Sequence, residues 1–111
     1  MKIKHVSEVE PQKLMDGKIL KRVFIGPTEA PNFVLRLFTL QPGASTPFHS
    51  HGWEHEVFVV EGRLKVISQD GETTAEPGHF VYVAPNEQHQ FVNISSGPSS
   101  FICVVPKEGE F

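Results

Sequence analysis

The sequence predicts an all-β fold, a barrel or sandwich of short antiparallel strands. Two observations carry this. Short runs of β-branched and aromatic residues recur along the whole chain, and Pro, Gly, Asn and Asp cut them at close intervals. Almost no segment shows the 3.6-residue periodicity of an amphipathic helix.

In chain order, the predicted strands are Lys18 to Ile25, Asn32 to Leu40, Thr46 to His51, Glu56 to Val60, Arg63 to Ser68, Thr73 to Glu76, His79 to Val83, Gln90 to Ile94 and Ser100 to Val105. A short helix is expected only around Gln12 to Asp16. The turn dipeptides Pro42-Gly43, Glu61-Gly62, Asp70-Gly71, Pro77-Gly78, Pro85-Asn86 and Gly97-Pro98 supply the fixed or positive φ that a reversing chain needs. Closure into a barrel would also remove exposed sheet edges.

With 111 residues the chain is sized for a single domain spanning 1–111, and no internal repeat, linker or charge block divides it. Its hydrophobic fraction of 39% and charged fraction of 21% exclude a disordered or low-complexity protein. A net charge of -3 argues against nucleic acid as a partner. Neither a signal-peptide pattern nor a membrane-length apolar run is present, so no membrane is expected as a partner and the expected location is the cytoplasm. The single cysteine, Cys103, cannot form an intrachain disulfide and should be a free thiol.

Chemistry concentrates between Gly43 and Glu56, where three of the six histidines fall within seven residues. Residues i and i+2 of a strand share a face, so His49 and His51 should project into one cavity as two ligands of a single ion. His55, beyond a bend at Gly52, can return toward the same point, and His89 is the natural fourth ligand. Along the following strand, His55 shares the inward parity of Val57 and Val59, while Glu56, Phe58 and Val60 face out. A bulge could instead draw Glu56 inward and restore a shell of three histidines and one carboxylate. His5 and His79 have no motif partner and should lie on the surface. Phe91, Phe101 and Cys103 share alternation parity and are expected to line the cavity, with Trp53 at its mouth.

These spacings resemble the two sequence motifs of the cupins. In the first motif, Gly43, His49, His51 and Gly62 are in register, but the position of the acidic ligand, with six intervening residues before Gly62, holds His55. In the second, running from about 78 to 93, Gly78, His89 and Asn93 match, while Ala84 replaces a proline and Asn86 an inner glycine. Asn tolerates the left-handed conformation better than most residues. The first motif runs from about 43 to 62.

That resemblance implies an RmlC-like jelly-roll barrel and, through the His-x-His-x-Trp-Glu-His-Glu stretch, the small bacterial cupins in which four histidines bind manganese. It also implies a homodimer paired through amino-terminal strands. Imidazole ligands by themselves suit iron, copper, zinc or nickel as well. Four neutral imidazoles would leave the ion its full double positive charge and favour anionic ligands, dioxygen or peroxide. The functional expectation is a mononuclear metal-dependent oxidoreductase or oxygenase acting on a small organic substrate. The alternative is a non-catalytic protein that holds a small ligand through its metal.

Overall fold

In the computed structural model, which describes residues 1–110, nine strands form two antiparallel sheets. The strands are β1 (Gln12–Leu14), β2 (Ile19–Ile25), β3 (Phe33–Leu40), β4 (His55–Glu61), β5 (Leu64–Ser68), β6 (Gly71–Ala75), β7 (Phe80–Val83), β8 (His89–Asn93) and β9 (Ser99–Pro106). Six of them form one sheet in the order β1-β2-β3-β9-β4-β7, and the other three form a second in the order β6-β5-β8. The two sheets face each other in the jelly-roll arrangement. No helix of the described residues is long and apolar enough to cross a membrane.

Strict alternation builds the barrel interior. On β4, His55, Val57 and Val59 are buried while Glu56, Phe58 and Val60 are exposed. On β9, Phe101, Cys103 and Val105 point into the same core, where they meet Ile19, Val34, Leu40, Leu64 and Phe91. Phe91 and Phe101 pack with ring centroids 4.8 Å apart, and Phe38 stacks on Phe101 at 5.5 Å. Such aromatic pairs add to the stabilisation that burial alone gives.

Two turn positions show why the spacing residues are what they are. Gly62 has φ +84°, and a Cβ there would lie 2.0 Å from Ser99 Oγ and 2.6 Å from Ser99 Cα, so the β4–β5 corner admits only glycine. Asn86 takes φ 66°, the left-handed conformation expected of it, and its N–H donates to His51 O. Asn93 closes another corner from the inside. Its Nδ2 donates to Leu40 O and Gly97 O, both at 2.9 Å, while its Oδ1 accepts from Ser95 N at 2.8 Å and Ser99 Oγ at 2.7 Å.

Two expected elements differ. The segment Gln12 to Asp16 is helical only at its end: Gln12–Leu14 pairs with β2, and a single 3-10 turn, Met15–Gly17, follows with Met15 and Asp16 at φ 53° and 58°. Asp16-Gly17 is itself a hairpin signal, and it outweighs the weak helical pattern around it. The predicted strand Thr46 to His51 is not a continuous ladder, because Pro47 lacks an N–H and restrains the residue before it. The segment is attached to β8 by two isolated bridges, Ser45 to Val92 and His49 to His89. Elsewhere the strand boundaries shift by one or two residues.

Candidate metal centre

His49 and His51 come from the irregular segment beside β8, His55 opens β4, and His89 opens β8. The ligand atoms of His49, His51 and His89 all lie within 4.8 Å of one another. Two nitrogens on opposite sides of one ion, each at about 2.1 Å, would be ~4.2 Å apart, so this trio is close to the span of a single metal. The ring of His51 lies 4.2 Å from that of His49, centroid to centroid, although no regular strand aligns the two.

His55 stands next to the trio, its ring centroid 5.0 Å from those of both His51 and His89. It is buried, and its Nε2 has no hydrogen-bond partner. A buried ring nitrogen left without a partner costs free energy unless something else satisfies it, and a metal ion is the fitting acceptor of its lone pair. Glu56 is exposed on the outer side of β4, so the carboxylate alternative has no support from the backbone.

Outer contacts orient two of the rings. His89 Nδ1 is 2.9 Å from Glu87 O, which fixes the proton on Nδ1 and leaves Nε2 free to ligate. His55 Nδ1 is 3.2 Å from Cys103 Sγ, a contact that orients the ring and in which the thiol can either donate or accept. Burial, reinforced by the neighbouring rings His51 and His89, pushes His49 down to about 4. Burial also dominates at His55, where His89 and Arg36 add to it and the value falls to about 3. His51 is lowered as well, by burial first and then by His89 and Arg36. Neutral imidazole is the metal-binding form, so these shifts prepare the donors for an ion.

The rings open into a cavity of about 610 Å³, lined also by Lys21, Arg36, Phe38, Phe91, Phe101 and Cys103 among others. The Trp53 indole stacks on His51, centroids 4.8 Å apart and planes 4° from parallel, and packs against the core, outside the set of residues that line the cavity. His5 and His79 are exposed.

Sequence reasoning passed over a buried polar chain inside the barrel. Lys21 and Arg36 are only 7% and 6% exposed, and both pair with the carboxylate of Glu110, Arg36 Nη1 at 3.2 Å from its Oε1. Arg36 Nη2 donates to Cys103 Sγ at 3.0 Å, so the chain runs from Glu110 through Arg36 and Cys103 to His55. Burial pushes the Cys103 thiol up, with Arg36 partly opposing it. The signal was available: Lys21 and Arg36 share the inward parity of Ile19 on β2 and of Val34 and Phe38 on β3.

Residues 36–105 match the cupin domain family model Cupin_2. The chain belongs to the cupin family. This cupin is similar to the polyketide cyclase RemF from Streptomyces resistomycificus, with 31% identity over 96% of this chain and 80% of that one, and a TM-score of 0.88. It is also similar to a cupin 2 domain-containing protein from Halorhodospira halophila, at 32% identity over 78% of this chain and 62% of that one, TM-score 0.75. A predicted oxalate decarboxylase from Thermotoga maritima shares the fold at 16% identity, covering 95% and 98% of the two chains with a TM-score of 0.86. Among curated proteins none matches.

Proposed function

We infer that this cupin is a mononuclear metal-dependent enzyme that acts on a small, planar, oxygen-bearing organic substrate with cyclase-type chemistry. The observation that carries this reading is the histidine cluster itself. Three imidazole donors within 4.8 Å of one another, with the unpartnered His55 Nε2 beside them, open into an aromatic-walled cavity of about 610 Å³. Similarity to a polyketide cyclase over nearly the whole chain supports the choice of reaction class.

In this reading His49, His51, His55 and His89 hold one divalent ion, manganese on the strength of the four-histidine resemblance, with iron, copper, zinc and nickel compatible with the same donors. Such an ion would supply electrophilic polarisation of carbonyl oxygens. The protein does the rest. Glu87 holds the His89 ring in its tautomer and Cys103 positions the His55 ring, the Phe38, Phe91 and Phe101 rings offer stacking faces and exclude water, and Arg36 contributes positive charge. Among the described residues no carboxylate is in the cavity lining, the nearby buried carboxylate of Glu110 is paired with Lys21 and Arg36, and Glu54 and Glu56 are exposed. That distribution supports Lewis-acid work over catalysis by a carboxylate base.

The same all-imidazole donor set suits the redox reading, in which dioxygen or peroxide is a co-substrate of an oxidoreductase, and the binding-only reading. Incubating the metal-loaded protein with an enolisable aromatic polyketone, with and without air, separates the three. Product formed without oxygen supports the cyclase reading, while strictly oxygen-dependent turnover replaces it with an oxygenase. Binding without turnover in both conditions replaces it with a ligand-binding protein.

We also propose a homodimer. Leu37, Ile102, Phe58 and Phe80 lie side by side across the outer face of the large sheet, where Phe58 is 48% and Phe80 82% exposed. An apolar row of this kind, running across the sheet face to its β7 edge, suits a second copy of the chain, in place of the pairing through amino-terminal strands that the resemblance implies. Sedimentation at micromolar concentration tests it, and a purely monomeric species would end it. The lone free thiol, buried, needs no oxidising compartment, which supports a cytoplasmic location.

A further inference from the structure

Burying two cations on neighbouring strands is costly unless anions accompany them. Lys21 on β2 and Arg36 on β3 both line the cavity, and one carboxylate, that of Glu110, is paired with the two of them. Among the described residues, two positive charges against one negative leave the pair with one unmatched positive charge. Hydrogen-bonding capacity is in surplus as well. Arg36 spends Nη1 on Glu110 and Nη2 on Cys103, yet its buried Nε–H has no acceptor. Lys21 has three ammonium hydrogens and pairs with a single carboxylate oxygen.

The neighbourhood says what shape the missing anion has. The Arg36 guanidinium carbon lies 4.9 Å from the centroid of the Phe38 ring, and Phe38, Phe101 and Phe91 continue as a stacked wall through the cavity. Phe91 in turn meets His89 edge-on, with centroids 6.2 Å apart. The cationic pair and the histidine cluster thus border one aromatic-walled cavity, and Cys103 bridges them directly, touching both Arg36 and His55.

We propose that Lys21 and Arg36 form a carboxylate-binding subsite, so that the ligand of this cavity is an aromatic carboxylate whose ring lies along the Phe38–Phe101–Phe91 wall with its other end toward the histidines. The substrate class deepens the metal-enzyme reading above and rests on it for the second end of the ligand. The subsite itself needs no ion. Glu110 already demonstrates the carboxylate chemistry of the pair, and it limits the positive charge left for an incoming anion.

The test titrates the full chain, metal-free and zinc-loaded, with benzoate and its neutral isostere benzamide, following shifts of the Phe and His ring resonances. Benzoate is expected to bind at least tenfold more tightly than benzamide in both forms. Arg36→Gln should lower benzoate affinity about tenfold or more while metal content stays unchanged. Glu110→Gln should raise it at least threefold, because both cations are then without their internal partner. Should Arg36→Gln fail to fold, the Glu110→Gln variant and the benzamide comparison decide. Benzamide binding as tightly as benzoate, no benzoate binding by either form, or an affinity unchanged or lowered in Glu110→Gln overturns the subsite. Failure of the chain to take up metal, with benzoate selectivity intact in the metal-free form, counts against the metal-enzyme reading and leaves the subsite standing.

Discussion

His49 and His89 exchange backbone hydrogen bonds in both directions, His49 N to His89 O at 3.1 Å and His89 N to His49 O at 2.9 Å. The two halves of the metal centre, distant in sequence, are thereby clamped through main-chain atoms that no side-chain substitution removes.

The first prediction follows from that clamp. His49→Ala, His51→Ala and His89→Ala should keep the barrel and lose metal, by more than the roughly 10- to 100-fold that outer contacts are worth. His55→Ala should also weaken binding strongly, whereas Glu56→Gln, on the outer face, should keep about one ion per chain. Elemental analysis and metal titration of the five variants check this. Retention of metal by His55→Ala with loss from Glu56→Gln would reverse the assignment.

A second prediction concerns Cys103, whose sulfur lies 3.2 Å from His55 Nδ1. Removing it by Cys103→Ala leaves His55 free to turn. Metal affinity should drop about 10- to 100-fold with stoichiometry unchanged. An affinity identical to that of the parent protein would show that the sulfur does not orient the ring.

The third prediction is a pH dependence. In the unfolded chain, histidines titrate near 6.5, while in the folded, metal-free chain His49 waits until about 4 and His55 until about 3. Above pH 6.5 neither state holds these protons, and stability does not depend on them. As the pH falls below 6.5 the unfolded chain takes up protons that the folded chain refuses, so stability declines and levels off below about 3. Melting temperatures of the metal-free protein should trace this decline, with a shallower one in His55→Gln. The same shifts move proton competition for the metal below the 6.5 set by unperturbed histidine. A melting temperature of the metal-free protein that stays flat from pH 7 to about 4 would contradict them.

The fourth prediction tests the tightest corner of the barrel. Gly62→Ala places a methyl group 2.6 Å from a backbone carbon of Ser99, at a φ of +84°. Displaced backbone on one side and left-handed strain on the other should together cost about 3 kcal/mol or more. Denaturant unfolding measures it, and a loss under about 1 kcal/mol would mean that the corner can open.

Much of this site was legible in the sequence because both signals that carry it are local. Motif spacing brought out His49, His51 and His89, and alternation separated an inward His55 from an outward Glu56. The strand expected across His49 and His51 was read too simply, since Pro47 breaks the ladder and the ring positions depend on bridges to β8. The hairpin at Asp16-Gly17 was hidden under a faint helical pattern. Lys21 and Arg36 could have been suspected from their inward parity beside Ile19, Val34 and Phe38. Their partner could not: Glu110 lies 74 residues from Arg36, and no periodicity links a chain end to the middle of a strand.

The flat stack of Trp53 on His51 gives the molecule an intrinsic optical gauge. Trp53 is the chain's single tryptophan, so all indole fluorescence originates against a candidate ligand ring. Gly109 also comes so near that a Cβ there would fall 2.6 Å from the indole nitrogen. Emission from this one fluorophore therefore senses both the occupancy of the histidine cluster and the seating of the carboxy-terminal turn that carries Glu110. Quenching by manganese or copper would report the first, and a shift in emission wavelength without quenching would report the second.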